Sequence, residues 1–226
     1  MIITYYLPVC KPSICDFLGE ILMKTYKIHL LRHGLTAANE KGIYIGRTDW
    51  PLSPEGLARL LKMKESGVYP GAVRFFTSPL LRCRQTLEVL YPGCRQEIVP
   101  ELAECNFGDW EGKAVSELKY NDAFISWVSG KLAQIPGGEN VEDFQKRIKT
   151  GFEDIVKRIM STGDTEAVVC THGAVVMYLM AEYALPKIPM QDWAGPDGGG
   201  FTLRITPGIW MREPVAEFVA ELPMKK

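Results

Sequence analysis

Arg32-His33-Gly34 puts an imidazole beside a fixed cation directly after the apolar run Tyr26-Lys27-Ile28-His29-Leu30-Leu31. A second histidine has a matching setting, because Ala167-Val168-Val169-Cys170-Thr171 leads into His172-Gly173. Two strands that each end in His-Gly would bring both rings to the carboxyl edge of a sheet, where open α/β folds gather ligands. A third strand end, Ser78-Pro79-Leu80-Leu81-Arg82, adds another arginine. Arginines and histidines converging on one point repel each other unless an anion sits between them. A tetrahedral phosphate suits that arrangement, since guanidinium forks bind several oxygens and stay charged at any working pH. Gly173 opens a helix whose free amides add donors.

Binding alone would be served by another arginine or a lysine. A neutral imidazole is also a nucleophile, able to take a phosphoryl group on one ring nitrogen while the other is held as a donor. Phosphoryl transfer needs positioning and charge neutralisation above all. A leaving alkoxide also needs a proton. Glu101, Glu104 and Glu111 lie in the stretch Glu101–Gly112, and a carboxyl set among Phe107, Trp110 and an anion would have its pKa raised, as a general acid requires.

The elements that must position these groups alternate between strand and helix. Tyr26–Leu31 is a strand; Ser53-Pro54 caps a helix carrying Leu57, Leu60 and Leu61 that ends near Gly67. Val73–Thr77 is the second strand, followed by a helix with Cys83, Leu87, Leu90 and Tyr91 on one face, stopped at Pro92-Gly93. Residues 94–138 read as irregular and aromatic, with one short helix around Ser116–Val128. Asn140 caps a long helix with an apolar stripe from Val141 to Ile159. Strand 167–171, a helix from Gly173 to about Ala184, a glycine-rich rim at Gly195–Gly200 and a last strand, Phe201–Ile205, complete the order. This pattern predicts an α/β fold with a mainly parallel sheet sandwiched between helices.

The chain has 226 residues and is 46% hydrophobic, enough for one domain with a real core. Its 26 basic and 27 acidic residues leave a net charge of −1, so charge gives no case for a nucleic-acid or membrane-surface partner. Six cysteines form no C-x-x-C pair, and with three histidines no zinc pattern appears; reduced cytoplasm fits free thiols best. Residues 1–22 differ from the rest and read as an N-terminal extension or an early start, with the catalytic domain spanning 23–226.

Taken together, the segments resemble the histidine phosphatase superfamily, the phosphoglycerate mutase-like fold, from about Tyr26 to Ile205. The resemblance is carried by Leu31-Arg32-His33-Gly34 with Thr36 and Asn39, Gly46-Arg47-Thr48-Asp49, and Ser78-Pro79-Leu80-Leu81-Arg82. It continues through Leu102-Ala103-Glu104, Phe107-Gly108-Asp109-Trp110-Glu111-Gly112, Pro136-Gly137-Gly138-Glu139 and Thr171-His172-Gly173. It implies that His33 becomes phosphohistidine. Arg32, Arg82 and His172 would grip the phosphoryl oxygens, with Asn39 and Gly173 as further donors. Glu104, two positions after Leu102 in the family register, would be the acid, and Arg47 either a substrate contact or a salt-bridge residue.

The implied enzyme is a metal-independent phosphomonoesterase of histidine acid phosphatase type, without a cofactor. It would act on a small-molecule phosphoester as a monomer or homodimer, and the strand at Phe201 is a candidate dimer edge. Leu35 departs from the Glu or Gln that many relatives carry after the glycine. Phe107–Gly112 stands in place of the basic, Tyr-containing stretch of cofactor-dependent mutases, and the segment to Pro136 is too short for their insert; both favour hydrolysis. The alternatives are a cofactor-dependent phosphoglycerate mutase and a non-catalytic phospholigand-binding module. His29, inside its strand, reads as structural, and Phe107, Trp110, Phe124 and Trp127 read as packing.

Overall fold

A computed structural model describes residues 24–226, so the expectation for residues 1–22 lies outside the described residues. The chain enters through β1 (Tyr26–Arg32) and passes α1 (Ala37–Glu40) to α2 (Pro54–Ser66). β2 (Gly67–Val68) and β3 (Arg74–Thr77) lead to α3 (Leu81–Leu90) and β4 (Gln96–Ile98). Two 3-10 turns, at Pro100–Leu102 and Gly108–Trp110, precede α4 (Val115–Leu118) and α5 (Asp122–Val128). Then come α6 (Val141–Thr162), β5 (Glu166–Thr171), α7 (Gly173–Tyr183) and β6 (Ala184–Leu185). The chain closes with β7 (Gly200–Ile205), α8 (Pro207–Trp210), β8 (Ala216–Leu222) and β9 (Met224–Lys225).

Seven strands form one sheet in the order β4-β3-β5-β1-β7-β8-β6. Only β7 runs against its neighbours β1 and β8; the other pairings are parallel. The two-residue side-chain period of β1 and β5 then divides the core. Ile28, Leu30, Ala167 and Val169 pack with the stripe of α6 and with α7, while Leu31, Val168 and Cys170 pack with Leu60 of α2 and Leu87 of α3. This is the sandwiched, mainly parallel sheet expected. The reversal of β7 has a topological cause: its chain arrives along the carboxyl edge of β1, where the Arg32 amide donates to Gly199 O at 2.8 Å, and so enters the sheet from that edge.

Helix ends follow the residues read as caps. Ser53 Oγ accepts from the Gly56 amide, with Pro54 in the first turn, and Asn140 Oδ1 accepts from the Glu142 amide. α6 runs on to Thr162 and stops at Gly163, whose φ of 73° is the left-handed conformation glycine accepts readily. No helix among the described residues is long and apolar enough to cross a membrane.

Four expectations need correction. Residues 94–138, read as irregular with one short helix, contribute edge strand β4, which pairs parallel with β3. The helix read over Ser116–Val128 is two helices, α4 and α5, because Asn121 Oδ1 accepts from the Phe124 amide and starts a new helix there. Phe201–Ile205 is not the last strand: Ala216–Leu222 pairs beside it. Its alternating burial was hidden by alanine and glutamate, both poor strand formers. The strand at Phe201 is consequently interior, and the sheet edges are β4 and β6, so Phe201 offers no edge to a partner.

Candidate active site

His33 stands one residue beyond β1, in the middle of the sheet's carboxyl edge. Its amide donates to Thr171 O at 2.9 Å, which ties it to the end of β5. Its ring Nδ1 lies 2.7 Å from Gly34 O. A carbonyl accepts but cannot donate, so Nδ1 carries the proton and Nε2 keeps its lone pair. Burial, reinforced by the nearby Arg82 guanidinium, pushes the ring's pKa down to about 3. His33 is therefore neutral across the ordinary pH range, the state a nitrogen nucleophile needs.

His172 follows β5 and is fully buried at the N-cap of α7. Its Nε2 lies 2.7 Å from Ser78 Oγ and 3.5 Å from Cys83 Sγ, so the Ser-Pro turn after β3 fixes the ring. Burial first, then the His33 and Arg82 neighbours, hold its pKa well below the usual value. The two imidazoles meet edge to face with centroids 5.2 Å apart.

Arg82 is completely buried in the first turn of α3. Its Nη2 and Nη1 donate to Gly46 O at 2.7 Å and Thr48 O at 3.0 Å, leaving Nε without a partner among the described residues. The carbonyls it grips are held in turn by Glu111, whose carboxylate accepts from the Arg47 and Thr48 amides and the Thr48 hydroxyl. Gly46 is required there, since a Cβ would meet Cys105 O at 1.8 Å. Arg32 donates from Nη1 to Gly195 O at 3.0 Å and pairs with Asp197 at 2.8 Å, and its Nε too lacks a partner among the described residues. A Cβ at Gly173 would come within 3.3 Å of that Nε, so the glycine lets the guanidinium lie against the start of α7.

Of the three candidate acids, Glu104 reaches the site. It is 7% exposed, its Oε1 accepts from the Cys105 amide at 2.9 Å, and its Oε2 accepts from the Ala174 amide at 3.4 Å. Burial raises its pKa and outweighs the opposing pull of those amides and of Arg82. Arg147 secures the backbone beneath it, donating to the carbonyls of Glu101, Ala103 and Glu104 while its other face is held by Glu139. The Pro136–Glu139 segment thus acts through Arg147 on Glu104. Glu111 is spent on the 46–48 loop.

A cavity of about 410 Å³ opens over these groups, with Arg32, His33, Asn39, Glu104 and Gly173 in its lining. Arg82 and His172 lie buried behind them, and Arg82 is close enough to depress the pKa values of both His33 and His172. Asn39 Oδ1 is committed to the Thr36 amide and hydroxyl in a capping box, which leaves its amide nitrogen as the donor. Arg47 is exposed and stands outside the lining. His29 is structural: buried, with Nδ1 2.9 Å from Thr202 Oγ1. The aromatic set packs edge to face and tilted, and only Phe107 of it reaches the cavity. Sequence reasoning missed Asp197, Arg147 and the hold of Ser78 on His172. For Ser78 the signal was present in its position at a strand end, opposite another strand end that carries histidine.

The family model described as Histidine phosphatase superfamily (branch 1) matches residues 28–203. The adenosylcobalamin/alpha-ribazole phosphatase of Salmonella typhimurium is 27% identical over 202 residues, covering 87% of this chain and 94% of that protein. A 2,3-bisphosphoglycerate-dependent phosphoglycerate mutase of Gloeothece citriformis is 28% identical over 188 residues, 65% of this chain and 79% of the mutase. Among solved structures, phosphoglycerate mutase from Thermus thermophilus superposes with a TM-score of 0.64 at 27% identity, over 88% of this chain and 99% of that one.

Proposed function

The chain belongs to branch 1 of the histidine phosphatase superfamily, and from that membership we propose that it hydrolyses a small phosphomonoester, without a metal, through phosphohistidine at His33. The observation that carries this reading is the tautomer lock: Nδ1 tied to Gly34 O leaves Nε2 unprotonated beside the cavity. In the first step Nε2 attacks phosphorus, the bond from phosphorus to the ester oxygen breaks with its electron pair on oxygen, and Glu104 delivers the proton. Water then attacks the phosphohistidine as Glu104 takes its proton, the phosphorus–nitrogen bond breaks, and neutral His33 and inorganic phosphate result. Arg32 and Arg82 neutralise the transferring oxygens, neutral His172 adds a hydrogen bond to them, and the unpartnered Nε atoms of both arginines support that role.

Activity on the acid side fits this scheme, because a ring with a pKa of about 3 stays nucleophilic where an ordinary histidine is protonated. The free thiols of Cys83, Cys94, Cys105 and Cys170 support a reducing, cytoplasmic setting. A non-catalytic binding module would have no use for a locked tautomer and a raised carboxyl together. The mutase reading would require a bisphosphorylated donor and isomerisation without free phosphate.

The test is phosphate release by EDTA-treated protein from a panel of phosphomonoesters near pH 6, with His33→Ala in parallel. Release that persists in EDTA and vanishes in the variant is expected. Release that survives in His33→Ala would remove the phosphohistidine.

A further inference from the structure

The cavity is chemically lopsided. Its lining includes the phosphoryl-binding groups already described. Much of the remaining wall is apolar: Ile43 and Tyr44 from the loop after α1, Phe107, Val115 from α4, Met177 from α7, and Trp193. These come from five separate parts of the chain, so the apolar lining is not the property of one segment.

Charge is distributed to match. Arg32 is the one cation of the lining among the described residues, and it is already paired with Asp197 at 2.8 Å. Arg47, the other arginine the sequence offered to a substrate, is exposed, stands outside the lining, and feels the Arg147 cation as well as Glu139 and Glu104. Two carboxyl groups, Glu104 and Asp197, do line the cavity. A second anion on the substrate would shed its hydration there and find no free cation in return, with two acidic groups close by. An apolar alcohol would instead remove its own surface and that of the wall from water.

We infer that the substrate is a monophosphate of an uncharged, largely apolar alcohol, and that Asp197 turns away alcohols carrying a carboxylate or a second phosphate. This rests on the phosphatase reading above. A volume of about 410 Å³ lies in the range of small-molecule sites and sets the scale of the ester.

The test compares primary-alcohol monoesters, whose leaving groups make similar demands on Glu104: 2-phenylethyl phosphate, glycerol 3-phosphate and 3-phosphoglycerate. The expected kcat/KM for 2-phenylethyl phosphate exceeds that for glycerol phosphate about tenfold and that for 3-phosphoglycerate about a hundredfold. Asp197→Asn should narrow the gap to 3-phosphoglycerate. So should Val115→Lys, at a position 47% exposed that tolerates a charge, by roughly threefold. 3-Phosphoglycerate turned over as well as the phenylethyl ester would overturn the inference and leave the phosphatase reading standing. If both variants keep the wild-type ratios, the wall does not meet the alcohol and the inference also fails. No turnover of any ester, activated aryl phosphates included, would overturn the phosphatase reading and this inference with it.

Discussion

The ends of β1 and β5 carry the same His-Gly pair, lie side by side in the sheet, and are built for different work. At β1 the ring is oriented by its own neighbour, Nδ1 to Gly34 O, and its residue lines the cavity. At β5 the ring is fully buried, and Ser78, from a third strand end, sits 2.7 Å from its Nε2. The β5 end also places the amide of Ala174 against Glu104, and the Thr171 hydroxyl donates to Leu102 O at 2.7 Å. One end presents a lone pair; the other fixes what surrounds it. A residue pair in sequence therefore says little about role until the partner of each ring nitrogen is known.

That contrast can be broken most sharply at the β5 histidine. His172→Asn should slow turnover by roughly two to three orders of magnitude, yet a rapid quench should still trap phosphate on His33. A quench that finds no phosphohistidine in His172→Asn would make the two rings equal partners in the covalent step. Glu104→Gln tests what the β5 end holds in place. Esters of poor leaving groups should slow about a hundredfold, and activated aryl phosphates far less, because only the former need the proton. Equal slowing would take the acid role from Glu104.

A third test concerns rings buried in their neutral form. The pKa of His33 is lowered to about 3 and that of His29 to about 4, from 6.5. Below pH 6.5 the unfolded chain takes up protons that these folded rings refuse, so acid favours unfolding. Stability should fall from pH 6.5 until the folded rings titrate, near pH 4 for His29 and pH 3 for His33. Each ring contributes a slope of roughly 1.4 kcal/mol per pH unit inside its window. Urea midpoints at pH 7 and pH 5 measure this, and a midpoint that rises on acidification would contradict neutral burial.

The strand ends were legible because each motif is local: an apolar run of five or six residues, then a turn with chemistry in it. The caps at Ser53 and Asn140 were legible for the same reason. What escaped depends on distant pairing. Arg147 lies within a long helix and resembles any solvated arginine until the fold brings the carbonyls of Glu101, Ala103 and Glu104 over it. Asp197 sits among glycines and gains meaning only beside Arg32. β8 alternates in burial, but its Ala-Glu content hid the period, and its existence moved Phe201 from the edge to the interior. The break between α4 and α5 was written in Asn121, a capping residue inside an otherwise helical run.

The Gly198 amide lies 3.1 and 3.0 Å from the carbonyls of Arg32 and His33, and the amides of those two residues are bonded to Gly199 and Thr171. In hydrogen-exchange terms, the backbone of His33 is stitched on both sides into the middle of the sheet and opens only when the sheet does. The lining at Val115 comes from the four-residue helix α4, whose Val115 is exposed, and this part of the wall opens at lower cost. Admission to the cavity and alignment of His33 Nε2 thus belong to different cooperative units, so the entrance can breathe while His33 stays in register.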